Sequence, residues 1–115
     1  MRLNLSCLKI SIRDLLQCAF NLSKTEVAVL ILLLKSSTWA SVGDISAGVG
    51  RDRSMVQRSL SVLMGRGVVI REQNNLVNGG FQYVYMAANK QKIKLMLFDK
   101  SRQFASMVKT TVEKW

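Results

Sequence analysis

The chain has 115 residues, enough for one domain with a modest core, and its 49% apolar and 21% charged content excludes a disordered polymer. Seventeen Lys and Arg against seven Asp and Glu leave a net charge of +10, which opposes compaction and attracts polyanions, nucleic acid first among them. With no histidine and only Cys7 and Cys18, the sequence offers neither zinc-ligand spacing nor a redox CxxC pair, so two buried free thiols, no metal and no cofactor are expected.

The opening RLNLSCLKISI supports two patterns. Leu3, Leu5 and Cys7 alternate as in a strand, whereas Leu5, Leu8, Ile12, Leu15, Leu16 and Ala19 recur as on a helix. The spacing of Ser11 and Asp14 matches a capping box, which predicts a first helix over 12–19 and leaves 1–10 open. These residues lack a basic start followed by an apolar block and cleavage site, so no signal peptide is expected.

A clearer start signal follows. Ser23 and Glu26 form an S-x-x-E box, and Leu22 and Val27 sit where a hydrophobic staple closes. The helix should begin at Lys24, run to about Ser36 and be the buried centre, because VAVLILLL is apolar nearly all round. That run is too short to span a membrane, and a cytoplasmic, nucleoid-associated protein is expected.

Residues 39–42 read as a short strand or extended link. Ser41 and Asp44 repeat the box, so a helix should begin near Val42, with Ile45, Ala47 and Val49 as packing residues and Gly48 or Gly50 ending it. After one turn comes RDRSMVQRSLSVLMGRG. Asp52 or Ser54 caps this helix, Ser54 and Gln57 match a box, Val56, Leu60, Leu63 and Met64 face inward, and Gly67 stops it.

VVIREQ and FQYVYMA have strand character and are joined by NNLVNGG, a hairpin turn longer than the minimum. From Asn89 the period becomes helical again: Ile93, Leu97, Ser101, Phe104, Val108, Thr111 and Trp115 recur three or four residues apart, flanked by Met96, Met107 and Val112. A helix of that length exceeds the diameter of so small a domain, which predicts a homodimer with Ile93, Leu97, Phe104, Val108 and Trp115 in its seam.

A short helix, a tight turn, an amphipathic helix and a hairpin make a winged helix-turn-helix. The predicted fold class is therefore α+β, mostly α, with a two-stranded wing and a long C-terminal helix. Residues 1–20 form an N-terminal extension, 21–88 the DNA-binding domain and 89–115 the dimerisation helix. A reader helix over 53–66 must keep one stripe apolar and present cations and amides on the other. Arg51, Arg53, Ser54, Gln57, Arg58 and Ser61 supply that stripe, and Met55 suits a thymine methyl. Arg66 and Arg71, nearer the helix end and wing, suit phosphates. Asn75 and Asn78, with Asn74, place amides in a wing of 74–80 that lies on the backbone or in the minor groove.

GFQYVY partly imitates the aromatic signature of an RNA-recognition motif. Gly79 stands where that motif has a basic residue, Gln82 replaces a small one, and too many helices come first. Phe81, Tyr83 and Tyr85 are read as strand and core packing. No enzyme is expected: the acids are scattered, several at helix caps, and no phosphate loop of the Walker type occurs. The alternative to a DNA-binding regulator is a winged-helix module docking on an acidic protein.

LSKTEVAVLILLL and DISAGVGRDRSMVQRSLSVLMGRGVVIRE, followed by the long terminal helix, resemble the small winged-helix transcriptional regulators of the MarR and TrmB type, especially archaeal ones. The matching residues are Leu22, Ser23, Glu26, Asp44, Ile45, Ser54, Val56, Leu60, Leu63, Gly67, Val69 and Arg71, within 20–88. The resemblance implies a sequence-specific regulator that binds double-stranded DNA. It departs from larger TrmB relatives in lacking a sugar-binding domain, and from metal-sensing regulators in lacking histidine and cysteine clusters.

Overall fold

The computed structural model describes residues 9–115. The strand-or-helix alternative for 1–10, with Leu3, Leu5, Cys7 and Leu8, therefore lies almost wholly outside the described residues. Eight elements follow: α1 (Ile12–Ala19), α2 (Lys24–Lys35), β1 (Ala40–Ser41), α3 (Val42–Val49), α4 (Arg53–Gly65), β2 (Val69–Asn75), β3 (Phe81–Ala87) and α5 (Lys90–Glu113). This is the expected α+β winged helix, mostly helical.

Local chemistry sets the helix starts. At α2 the Ser23 hydroxyl accepts from Glu26 N–H at 3.2 Å and the Glu26 carboxylate accepts from Ser23 N–H at 2.9 Å. Ser41 and Asp44 do the same at α3. Elsewhere only one arm forms. Ser11 receives Asp14 N–H with no return bond, and α4 is capped by Asp52, which receives Met55 N–H at 2.8 Å. The Ser54–Gln57 box does not form because Ser54 already lies inside the helix that Asp52 starts.

The core gathers around α2. Its Val27, Val29, Leu30 and Leu33 are buried, and the staple residue Leu22 closes its entrance. Leu16 and Phe20 of the α1 end, Ile45 of α3, and Val56, Leu60 and Leu63 of α4 complete the cluster with Val68, Val69, Tyr85, Ala88 and Ile93. Each such side chain removed from water is worth about 1.5–3 kcal/mol.

Several expectations are corrected. Ile12 is 60% exposed, because α1 turns only its Leu16 side fully inward. Ala47 is exposed, since α3 buries Ile45 alone. Cys18 is exposed as well, being on the outer side of α1. Of the three wing aromatics only Tyr85 is core, with Phe81 and Tyr83 beyond the part of β3 that the helices cover. Gly48 does not end α3: Gly50 does, at φ 69°, while a Cβ on Gly48 would stand 2.8 Å from Leu32 Cδ2. Gly48 thus permits a close approach of α3 to α2.

The sheet has the order β1-β3-β2, antiparallel throughout. Ala40 faces Tyr85 across one edge and Arg71 faces Tyr85 across the other. The two-residue β1 thereby ties the hairpin to the foot of α3. Strands β2 and β3 continue past it, with residues 70–83 exposed throughout. The connection is narrower than the expected 74–80, because Asn74 and Asn75 still pair with Gln82 and Phe81. Asn89 caps α5, whose 24 residues span about 36 Å and stretch the molecule to 63 × 23 × 22 Å. The helix ends at Glu113, so Trp115 lies just beyond it.

Two glycines around α4 should respond oppositely to alanine. Gly50→Ala places a Cβ in the left-handed region and should lower stability by about 1–2 kcal/mol. Gly65→Ala, in helical backbone with nothing near its Cβ, should raise it by about 0.4–1 kcal/mol. Urea unfolding midpoints measure both.

Candidate nucleic-acid interface

One face of α4 is fixed by the core. Val56, Ser59, Leu60 and Leu63 are buried, and helical spacing turns Ser54, Gln57, Arg58 and Ser61 to the opposite side, where all four are exposed. Arg51 and Arg53 are also exposed at the start of the helix, and Met55 is half-buried at its margin. The turn that delivers them is held to α3: Gly50 and Arg51 N–H both donate to Ser46 O, and the Ser46 hydroxyl donates to Arg51 O.

Electrostatics follows from how the acids are engaged. Glu26, Asp44 and Asp52 accept backbone N–H groups at helix starts. Among the described residues the one ion pair is Arg102 with Asp99 on α5, at 3.6 Å. Arg51, Arg53, Arg58 and Arg71 are therefore without a carboxylate partner among the described residues. Cations in that state attract phosphate over roughly a Debye length, about 8–10 Å in physiological salt.

A cleft of about 320 Å³ lies where α3, α4 and the wing meet, lined by Ser41, Val42, Gly43, Arg53, Gln57, Gln82, Tyr83 and Tyr85. Gly43 lies against Arg53 there: a Cβ on it would stand 3.0 Å from an Arg53 terminal nitrogen. The Arg53 guanidinium thus lies back across the first turn of α3, while Gln57 reaches the cleft from the next turn of α4. Ser41, Gly43, Gln82 and Tyr83 are neighbours of the reader helix that the sequence does not announce. No local signal marks them, since β1–β3 pairing across more than 40 residues brings them there.

The wing residues fall into two groups. Arg71 stacks on Tyr83 with its guanidinium carbon 3.9 Å from the ring centre, and Tyr83 meets Phe81 edge-on at 5.3 Å. This ladder stiffens the hairpin and holds the Arg71 charge in place. Asn75 receives a hydrogen bond from Gln73 at 3.3 Å, and Asn78 stands exposed in the turn.

Arg66 departs from the other arginines. Its Nε–H donates to Phe20 O at 2.8 Å, which ties the end of α4 to the C-terminus of α1. A cation at a helix C-terminus satisfies an orphan carbonyl and complements the helix dipole. It is also 13 residues, about 20 Å of helix, from Arg53. That hydrogen bond is a structural tie, which the glycine on either side of Arg66 does not reveal.

The expected seam residues on α5 divide similarly. Ile93 is buried and Leu97 half-buried against the domain, and Lys100 lies 5.5 Å above the Phe20 ring. The same face continues through Phe104 (61% exposed) and Val108 (44%), and Trp115 just past the helix end is 102% exposed; among the described residues nothing covers them. Leu95 and Phe98 are exposed on another side of α5 and were not singled out by the periodicity. Among the described residues no helix is long and apolar enough to cross a membrane.

Comparison with known proteins agrees with this geometry. The family described as sugar-specific transcriptional regulator TrmB matches residues 16–91. An uncharacterized protein of Methanocaldococcus jannaschii is 33% identical over 102 residues, covering 89% of this chain and 68% of the relative. The structure of a possible transcriptional regulator from Methanosarcina mazei superimposes with a TM-score of 0.84 at 26% identity, covering 98% of this chain and 95% of the other. The S. aureus MepR–DNA complex shares the fold at a TM-score of 0.55 and 16% identity, over 85% of this chain and 82% of MepR.

Replacing Arg66 by alanine should lower unfolding free energy by about 1.5–3 kcal/mol, the range for hydrogen bonds to a charged group. Thermal and urea denaturation measure it.

Proposed function

Because this chain belongs to the TrmB family of transcriptional regulators, we propose that it binds double-stranded DNA sequence-specifically, as a homodimer, and regulates transcription in the cytoplasm. Residues 53–66 enter the major groove, and the wing lies on the backbone or in the minor groove. The observation that carries this function is the outward stripe of α4: Ser54, Gln57, Arg58 and Ser61 are all exposed, and no carboxylate among the described residues neutralises the arginine.

Each side chain suits a part of the duplex. Arg58 can take guanine O6 and N7 together, and Gln57 can take adenine N6 and N7. Arg51, Arg53, Ser54 and Ser61 border the same groove, with Met55 toward a thymine methyl. Arg71, held over Tyr83, is positioned for a phosphate beside the groove. The M. mazei relative is a possible transcriptional regulator, and MepR, with the same fold, has been solved on DNA.

A second copy completes the molecule. The face of α5 that packs on the domain runs on into Phe104 and Val108, toward Trp115, and no described residue of the same chain buries them. Patches of that kind mark interaction sites, and continuity with the internal contact favours an identical helix as the occupant. A two-fold axis through paired α5 helices would set two α4 helices about one DNA turn apart, ~34 Å.

Binding should weaken steeply with salt, log K falling by about 0.9 per neutralised phosphate for each tenfold rise. Gln57→Ala and Arg58→Ala should each cost about 1–3 kcal/mol at sequences selected from a random duplex pool, read by fluorescence anisotropy. A palindromic consensus is expected. Capture of an acidic protein with no affinity for any duplex would overturn this function.

Sedimentation velocity should show a dimer that Phe104→Asp converts to a folded monomer. A monomeric native protein would refute the pairing.

A further inference from the structure

Beyond Glu72 the wing changes character. Residues 73–83 contain no Lys, Arg, Asp or Glu in a chain whose net charge is +10. They carry instead the amides of Gln73, Asn74, Asn75, Asn78 and Gln82 and the rings of Phe81 and Tyr83, with Leu76 and Val77 at the extreme tip. Val77 is 103% exposed and Leu76 45% exposed. The tip is also set in advance: Leu76 N–H donates to Gly80 O at 3.1 Å and Gly79 N–H to Leu76 O at 3.2 Å, with Gly79 and Gly80 at positive φ. Seven residues of strand hold it about 23 Å beyond the start of the hairpin.

A charge-free tip is poorly suited to gripping phosphates. Amides suit the floor of the minor groove, where adenine N3 and thymine O2 are acceptors. A hairpin is too broad for that groove in its resting form. Its strands alone lie about 4.8 Å apart, and the groove is about 6 Å wide. Entry requires widening, which apolar side chains inserted at a base step provide by unstacking it and bending the duplex toward the major groove. Pyrimidine–purine steps such as TA yield most readily.

From this we infer that the wing tip is a minor-groove wedge, in which Leu76 and Val77 insert at a flexible A·T-rich step and bend the DNA that the protein binds. The inference rests on the DNA-binding function proposed above and adds to it a mechanical action, with a sequence preference the reader helix does not supply. The contact surface is preformed, so little ordering cost opposes insertion.

The test is end-to-end energy transfer on a doubly labelled A·T-rich duplex of about 30 base pairs with a central TA step, at saturating protein. The native chain should shorten the end-to-end distance by the amount of a bend of about 20–90°. The double variant Leu76→Ser, Val77→Ser should still bind with an unchanged salt slope and leave the duplex straight. Its unfolding midpoint should be native, because both side chains are exposed. Replacing the TA step by GC should reduce the native bend. Binding without shortening, or equal shortening by the double variant, overturns the wedge and leaves the DNA-binding function standing. A change in self-association of the double variant with the bend intact makes the tip a contact between copies and overturns the wedge as well. Absence of binding to any duplex overturns the DNA-binding function, and the wedge with it.

Discussion

The seam between α2 and α4 is the constraint on which the rest depends. Val56, Leu60 and Leu63 have no exposed surface, and the α2 residues Val29 and Leu30 have none either. Rotating α4 about its axis by even one residue position would expose one of these side chains and bury a polar one. Such a change costs on the order of 2 kcal/mol or more for the apolar group alone. The outward direction of Gln57 and Arg58 is thus determined by burial on the far side of the same helix. Asp52 sets where along the chain α4 starts.

Charge is distributed by the same economy of positions. Three of the seven acids serve helix starts, where a carboxylate also complements the dipole. A fourth, Asp99, pairs with Arg102 far out on α5. The arginines of and around α4 consequently have no carboxylate partner among the described residues. Repulsion among them destabilises the isolated fold somewhat and would be relieved by a polyanion. Arg66 and Arg71 show that arginines in one short stretch need not share a task. One is hydrogen-bonded to Phe20 O, and the other is stacked on Tyr83.

Two features project from the compact core, and they differ in chemistry. The distal half of α5 is exposed along every side from Ser101 onward and carries large apolar residues over about four turns, which suits a long helical partner. The wing beyond Glu72 is short and uncharged, with Leu76 and Val77 together at its tip. An extended stripe and a point of the same residue types fit different partners, because buried area grows along the first and depth of insertion matters for the second.

Much of the fold was legible in the sequence because its signals are local. Capping boxes at Ser23 and Ser41 located two helix starts, at Lys24 and near Val42, since the bonds they predict span only three positions. The 3.6-residue period located the buried face of α4, and the turn residues placed the hairpin. The outward residues of the candidate site followed from that period alone. What the tertiary structure decided needed distant partners. The 320 Å³ cleft exists because β1 pairs with β3 across more than 40 residues, bringing Ser41 and Gly43 to Arg53 and Tyr83. The tie from Arg66 to Phe20 spans 46 positions, and the exposure of Cys18, Phe81 and Tyr83 depends on where neighbouring elements stop. Backbone periodicity fixes which side of a helix is apolar. Only the packed chain decides what each polar side chain meets, because that is set by residues the local pattern does not contain.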